Sequence, residues 1–162
     1  MIRICRSQDM QAMQAIINAA ATVYDGHIPS DCYHQPYMPR EELKLEMQRM
    51  TFLGWEESGK LIAVMGSEQS KDVTLLRHAY TLPEHQGKGI GSRLLERIVA
   101  QTKTSRLLVG TWADATWAVS FYQRHGFTLL ADKDALLKIY WNIPQRQIDT
   151  SVVLGKNIVN FV

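Results

Sequence analysis

One glycine-rich stretch of the sequence reads Gln86-Gly87-Lys88-Gly89-Ile90-Gly91-Ser92. It follows an apolar run, residues 73–82, and it precedes a helical pattern over residues 92–104. A strand, a glycine-rich loop and the start of a helix, in that order, place several free backbone N–H groups around one anion. Glycines permit positive φ angles and let the backbone approach a ligand without a Cβ in the way. The stretch therefore predicts a phosphate-binding loop.

The glycine spacing separates this loop from two better-known nucleotide-binding loops. A Walker A loop needs Gly-x-x-x-x-Gly-Lys followed by Ser or Thr, and the sequence has no such run. The dinucleotide fingerprint needs Gly-x-Gly-x-x-Gly, whereas Gly87, Gly89 and Gly91 recur at every second residue. ATP and NAD are therefore poorly supported as ligands. The loop alone leaves open a plainer alternative, a surface loop with basic residues that leads into a helix.

The order of residues within the loop also matches a family signature. Gln86, Gly89 and Gly91 are spaced as Gln-x-x-Gly-x-Gly, inside the run of residues 80–95. This spacing resembles the acetyl-CoA signature of the GNAT superfamily of N-acetyltransferases, whose core is Gln/Arg-x-x-Gly-x-Gly/Ala. The resemblance implies acetyl-CoA as the cosubstrate and no metal.

A second run further along the chain reads Ala118-Val119-Ser120-Phe121-Tyr122-Gln123-Arg124-His125-Gly126-Phe127. It resembles the superfamily's other hallmark, a short helix that ends in Phe-Tyr-x-x-x-Gly-Phe. Two motifs in the expected order and separation are a much stronger signal than either motif alone. The resemblance covers most of the chain in outline, and its specific part runs over about residues 73–127.

The resemblance implies a single acetyltransferase domain over residues 1–162 with a GNAT-like fold of the α/β (α+β) class. The expected architecture is a mixed, mostly antiparallel sheet of six to seven strands with a central parallel pair and helices on both faces. The strand-helix-strand order over residues 73–111 predicts that parallel pair, because such a crossover joins parallel strands. Other predicted strands are residues 51–56 and 60–68, residues 127–131 and residues 145–154. Residues 134–141 are ambiguous, and residues 157–162 receive no assignment.

Composition limits the classes of partner. The 162 residues carry 18 basic and 16 acidic side chains and a net charge of +2, so no bulk positive charge predicts a nucleic-acid partner. Cys5 and Cys32 lie far apart without a Cys-x-x-Cys motif, which argues against a zinc site and a disulfide framework. The sequence has no apolar run long enough to cross a membrane and no signal-peptide pattern at its start. We expect a cytoplasmic monomer or homodimer without membrane contact.

The resemblance assigns acetyl-CoA to the end of the strand before the loop, to the loop and to the second motif. The implied cosubstrate-binding residues are Ala79, Tyr80, Thr81, Gln86, Gly87, Lys88, Gly89, Ile90, Gly91, Ser92, Asp114 and Tyr122. One departure affects this set. The superfamily often has Asn seven residues before the motif tyrosine, but this sequence has Ala115. Asp114 or Thr116 would have to supply the hydrogen bond of that Asn.

Residues 23–38 form a long aperiodic connection that is rich in aromatic, histidine and aspartate side chains. In the superfamily the connection between the first two helices contributes to the acceptor site, and long loops often carry function. The candidate acceptor-binding residues are Tyr24, His27, Tyr33 and Tyr37. The alternative for each of them is a surface loop that its aromatic side chains hold in place.

Acetyl transfer to nitrogen requires a neutral amine, a donor that polarises the thioester carbonyl, and an acid for the departing thiolate. Tyr122 occupies the position of the superfamily's usual general acid, and a phenol with a pKa of about 10 can protonate a thiolate whose conjugate acid has a pKa of about 8.5. Backbone groups of the strand before the loop are the expected oxyanion donors. His78 is a candidate general base, but Glu56, Glu68, Asp114 and a chain of water molecules stay open as alternatives.

The function predicted from these residues is direct transfer of the acetyl group of acetyl-CoA to a primary amine of a small molecule, peptide or protein. The alternative is a non-catalytic acyl-CoA-binding sensor or interaction domain, which would keep the loop but lack an effective acceptor site. Tyr122 favours the enzyme.

Overall fold

One mixed sheet of seven strands runs through the protein, whose computed structural model describes residues 1–158. The strands are β1 (Ile2–Ile4), β2 (Thr51–Glu57), β3 (Lys60–Ser70), β4 (Val73–Thr81), β5 (Arg106–Trp112), β6 (Thr128–Leu129) and β7 (Ser151–Asn157). The helices are α1 (Met10–Ala20), α2 (Arg40–Arg49), α3 (Ile90–Gln101), α4 (Thr116–Arg124), α5 (Lys133–Tyr140) and α6 (Gln145–Asp149).

The strand order in the sheet is β1-β2-β3-β4-β5-β7-β6. Neighbouring strands are antiparallel except for β4 and β5, which α3 connects and which run parallel. The predicted fold class, with a central parallel pair in a mostly antiparallel sheet, is thereby confirmed.

Both faces of the sheet are covered by helices because the central strands are apolar on both sides. Leu76 of β4 and Leu107 of β5 pack with α3 and α4 on one face. Their neighbours Leu75 and Leu108 point to the opposite face and pack with α5 and α6. A third apolar cluster joins α1 and α2 to that second face.

The C-terminal part differs from the sequence-based expectation. Residues 145–149 form α6 rather than the start of a strand, and β7 begins only at Ser151. Pro144 at the N-cap begins the helix, and Ile148 is buried in it. Spacing alone misled the prediction, because Ile148 and Val152 are four apart, which suits a helix as well as a strand. The predicted strand over 127–131 is reduced to β6, and the ambiguous residues 134–141 fall mostly in α5.

An opening between β4 and β5 positions the functional site. The two strands pair only from Thr74 and Leu107 to Leu76 and Val109, although both continue beyond these residues. The β4 edge that faces β5 therefore has free backbone groups from Arg77 onwards. On its other edge, β4 carries a bulge opposite β3 between the pairs that contain Arg77 and Tyr80. No helix among residues 1–158 is both long and apolar enough to cross a membrane.

Candidate active site

A cleft of about 670 Å³ lies where β4, the glycine-rich loop, α3 and α4 meet. It contains nine of the residues that the sequence analysis assigned to cosubstrate or acceptor. These residues are Tyr24, His27, Ala79, Tyr80, Thr81, Gln86, Gly87, Gly91 and Tyr122.

The glycine-rich loop wraps the N-terminus of α3. Gly87 has a φ of +78° and Gly89, the N-cap of α3, has a φ of +80°, a region that L-residues with side chains rarely adopt. No side chain caps α3, so the N–H groups of its first turn are without intrahelical partners and available to an anion. Gln86 braces the loop, because its Nε2 donates a hydrogen bond of 3.0 Å to the Thr81 carbonyl. This geometry fits a phosphate group.

Tyr122 lies in α4. Its ring packs in the apolar core, and the residue also lines the cleft. The rings of Phe121 and Phe127 pack edge-on against it at centroid distances of 5.1 and 5.5 Å. The side chain is only 5% exposed, and this burial raises the pKa of its phenol well above the usual value. The phenol is therefore neutral over the physiological pH range and holds a proton that it can donate.

The end of β4 forms the opposite wall. The bulge reverses the alternation of side chains, so that Ala79 packs toward the α3 side while Tyr80 packs with the α1 side. Burial, followed by the neighbouring phenols of Tyr24 and Tyr37, raises the pKa of Tyr80. Burial also raises the pKa values of Tyr24 and Tyr37, so the phenols of Tyr24, Tyr37 and Tyr80 are all neutral hydrogen-bonding groups.

Comparison with known proteins supports the family whose two motifs the sequence resembles. The acetyltransferase (GNAT) domain family matches residues 48–129, which include both motifs and the strands between which the cleft opens. The chain belongs to the GNAT acetyltransferase family.

Solved structures of other acetyltransferases share the fold of this GNAT protein. PaiA N-acetyltransferase from Thermoplasma acidophilum, in complex with coenzyme A, is 18% identical with a TM-score of 0.74, and the match covers 97% of this chain and 98% of that one. A ribosomal-protein alanine N-acetyltransferase from Escherichia coli is 16% identical with a TM-score of 0.73, covering 100% and 96%. YncA from Salmonella typhimurium, with acetyl-CoA, is 17% identical with a TM-score of 0.68, covering 100% and 95%.

Two further cavities lie near the cleft of the GNAT protein, at the opening between β4 and β5 and beside it. A neck of about 120 Å³ shares Tyr24 and Tyr80 with the cleft. An outer cavity of about 650 Å³ lies beyond the neck. Neck and outer cavity share Tyr37, Arg77, His78, Trp112, Trp141, Ile143 and Gln147. Tyr24 and Tyr80 therefore line both the cleft and the neck, whereas the cleft and the outer cavity have no lining residue in common.

His78 lines the neck and the outer cavity and not the cleft with Tyr122. It has a φ of +57°, and its ring stacks on Phe52 at 6.1 Å. Its Nε2 is buried 3.8 Å from a carboxylate oxygen of Glu46, a separation too long for a hydrogen bond. An amine proton would therefore have to reach this ring through Nδ1.

Glu46 is the buried centre of an ion-pair network in α2. Burial alone would raise its pKa, but the His78 ring 3.8 Å away and the guanidinium groups of Arg77 and Arg49 lower the pKa to about 2. Because the folded state favours the carboxylate, its contribution to stability is present above pH 4.5, its ordinary pKa, and is lost as the pH falls toward 2.

The Glu46→Gln variant is therefore expected to unfold more easily by about 1–3 kcal/mol at neutral pH, since it removes the ion pairs of a buried carboxylate with Arg49 and Arg77. The difference from the wild type should shrink as the pH falls below 4.5. Urea midpoints measured against pH test this, with Glu41→Gln, an exposed neighbour on α2, as the control. An equal difference at every pH would contradict the assignment.

Several predicted residues lie outside the cleft. Asp114 lines a separate cavity with Arg146, Tyr33 packs in a cluster with Ile28 and Trp112, and Tyr37 belongs to the neck and outer cavity. Lys88, Gly89, Ile90 and Ser92 belong to the loop and the first turn of α3, outside the cleft wall. The Ile90 side chain is buried in the core, so only its backbone is available to a ligand.

Tryptophans were the main omission of the sequence analysis. Trp117 is 42% exposed on α4. Its ring stacks with that of Tyr24 at a centroid distance of 6.2 Å and lies edge-on to that of His27 at 5.3 Å. These contacts form the wall of the cleft beside residues 23–38. Its place four residues before Phe121 of the second motif was the available signal. No comparable local signal marked Trp112 or Trp141. Within residues 1–158 no group of three His, Cys, Asp or Glu side chains is arranged to hold a metal ion.

Proposed function

We propose that the protein transfers the acetyl group of acetyl-CoA to a primary amine of a small molecule, peptide or protein, within one domain over residues 1–162. The observation that carries this proposal is the convergence on one cleft of three groups with complementary roles. The first turn of α3 supplies N–H groups for phosphate, the open edge of β4 supplies backbone groups, and Tyr122 supplies a proton. Coenzyme A in PaiA and acetyl-CoA in YncA support the choice of cosubstrate.

Each protein group has a defined part in the transfer. The first turn of α3, with Lys88 beside it, would hold the pyrophosphate by backbone N–H groups and positive charge. The pantetheine arm would lie along the β4 edge from Arg77 onwards as an added strand, and N–H groups there would polarise the thioester carbonyl. The residues at that edge are Ala79, Tyr80 and Thr81.

The proton transfers complete the reaction. The amine nitrogen forms a bond to the acetyl carbon, the carbon–sulfur bond breaks, and Tyr122 gives its proton to the sulfur. His78, which lines the neck, is the candidate base for the proton lost by the amine. The phenolate of Tyr122 then recovers a proton from solvent. This sequence needs a neutral amine and no covalent acetyl-enzyme.

Calorimetric titration with acetyl-CoA, with ATP and NAD as controls, tests the binding half of the proposal. Thiol release is then measured in the same preparation with a panel of amines and peptides. Acetyl-CoA binding with acceptor-dependent thiol release is the expected result. Binding without any such release would favour the alternative, a non-catalytic acyl-CoA sensor, and absence of binding would contradict both. A cytoplasmic location and a monomeric or homodimeric state stay predictions.

A further inference from the structure

His78 has a backbone conformation that is unusual for its place in the chain. Among residues 1–158, the residues other than glycine with a positive φ are Ser58, Lys71 and His78. Ser58 and Lys71 lie in the turns that join β2 to β3 and β3 to β4, where positive φ angles are common. His78 instead lies within strand β4, with a φ of +57°. A residue with a Cβ adopts this region at a cost, whereas glycine adopts it freely.

The left-handed conformation of His78 belongs to the bulge of β4. The regular pairs with β3 on either side of the bulge contain Arg77 and Tyr80. Two residues of β4, His78 and Ala79, therefore lie opposite Met65 alone. In one type of bulge the first of the two residues is left-handed, and that residue is normally glycine. This protein has histidine at the glycine position of its bulge.

Contacts with two other elements hold the His78 ring in place. The ring stacks on Phe52 of β2 at a centroid distance of 6.1 Å, with 21° between the ring planes. Phe52 can approach because Gly66 of β3 has no side chain, and a Cβ there would lie 3.0 Å from the Phe52 ring. On α2, a carboxylate oxygen of Glu46 lies 3.8 Å from Nε2 of His78. The ring is therefore packed on the side of the sheet opposite α3.

The bulge decides which side chain of β4 lines the cleft on the side of α3. Leu76 and Ala79 both pack on that side although they are three residues apart. Regular alternation from Leu76 would instead place Tyr80 on that side. Ala79 has a small side chain, and it leaves space beside the β4 edge that β5 does not cover. Without the bulge, the Tyr80 ring would fill the space in which the pantetheine arm is proposed to lie.

We propose that His78 is a positioning residue for acetyl-CoA, because its left-handed backbone turns Ala79 toward α3 and Tyr80 toward α1. It acts through the strand, since it does not itself line the cleft. Strained residues of this kind cluster at functional sites, where the surrounding structure holds them. The role belongs to the backbone and is separate from that of the ring as a candidate base. This inference rests on the proposed function, because it concerns how the same cleft holds acetyl-CoA.

Four variants of His78 separate the backbone from the ring, because all of them lack the imidazole. Glycine adopts the left-handed conformation freely and asparagine tolerates it, whereas alanine disfavours it and valine disfavours it strongly. We expect His78→Gly and His78→Asn to bind acetyl-CoA about as tightly as the wild type. His78→Val should bind at least about ten-fold more weakly, since the Tyr80 ring would then occupy the cleft. His78→Ala should lie between them, and it replaces His78→Val if valine prevents folding.

Calorimetric titration of acetyl-CoA into each folded variant measures the affinity, and urea unfolding measures the stability. Turnover is excluded as a readout, because the candidate base is absent from all four variants. Ser58→Val is the matched control for strain, since Ser58 has a φ of +50° in the turn between β2 and β3. Like His78→Val, it should unfold at a lower urea concentration than the wild type. Its affinity for acetyl-CoA should be that of the wild type, because the turn does not shape the cleft.

The outcomes distinguish this inference from the proposed function. If His78→Val and His78→Ala bind acetyl-CoA as tightly as His78→Gly, the bulge does not depend on a left-handed residue, and the inference is wrong while the acetyltransferase proposal stands. Equal weakening in all four variants would also overturn the inference, because the affinity would then depend on the ring. Failure of the wild type to bind acetyl-CoA would overturn the function itself.

Discussion

The Tyr122→Phe variant is expected to turn over at least about a hundred-fold more slowly than the wild type, which is the contribution of a positioned general acid. Its affinity for acetyl-CoA should be unchanged, because the ring that packs against Phe121 and Phe127 is retained. The phenol is nearly buried, so few water molecules can replace it as the donor to the departing thiolate. Kinetics at saturating acetyl-CoA and acceptor measure turnover, calorimetric titration measures the affinity for acetyl-CoA, and thermal unfolding of both proteins measures stability.

The pH dependence of kcat gives a second test of this role. Burial raises the pKa of Tyr122, so the acid form persists above pH 10, the ordinary tyrosine value. Activity that depends on this acid should therefore fall only above about pH 10, and the fall should be absent from Tyr122→Phe. A variant that keeps the wild-type kcat, or that loses acetyl-CoA affinity and thermal stability together, would show that Tyr122 is a packing residue.

Local sequence patterns were sufficient to predict that the glycine-rich loop and Tyr122 lie near one another, and both line the same cleft. Glycine spacing specifies the backbone of the loop, since positive φ angles at Gly87 and Gly89 are an intrinsic property of the chain. The strand-helix-strand order around the loop then specifies the parallel pair β4–β5. These features lie within a few turns of one another in sequence, and so the fold class and the place of the cleft could be predicted.

The orientation of β4 side chains could not be predicted, because it depends on a bulge. Strict alternation from Leu76 would place His78 and Tyr80 together on the face of α3. The bulge and the positive φ of His78 instead place His78 beside Glu46 and Tyr80 between cleft and neck. A bulge is stabilised by contacts with other elements, here α2 and β3, and no residue pattern within β4 reveals it.

The outer cavity was also beyond sequence reasoning. Its wall combines Glu42 of α2, Trp112 of β5 and Trp141 after α5, which are far apart in the chain. Their proximity depends on the sheet order, in which β5 lies between β4 and β7 and brings the C-terminal segment to the centre. For the same reason Asp114, adjacent in sequence to the second motif, lies in a different cavity.

The Gly89→Val variant is expected to lose at least about ten- to a hundred-fold in affinity for acetyl-CoA, the equivalent of one charge-assisted hydrogen bond or more. Gly89 has a φ of +80° and a ψ of 9° as the N-cap of α3, and a β-branched residue disfavours this conformation strongly. The loop would relax toward negative φ, and its N–H groups would then no longer converge with those of α3 on one phosphate. Calorimetric titration of acetyl-CoA into folded variant measures the loss.

Gly59→Val provides a matched control for backbone strain. Gly59 has a φ of +76° in the turn between β2 and β3, and an added Cβ meets no atom within 4 Å at either Gly59 or Gly89. The free energy of unfolding should therefore fall by a similar amount in both variants, about 1–2 kcal/mol, because valine disfavours the left-handed conformation. Only Gly89→Val should lose affinity, because only this glycine shapes the loop at the N-terminus of α3. Equal affinity in the two variants, with both folded, would mean that the phosphate is held elsewhere and that the cleft is not the acetyl-CoA site.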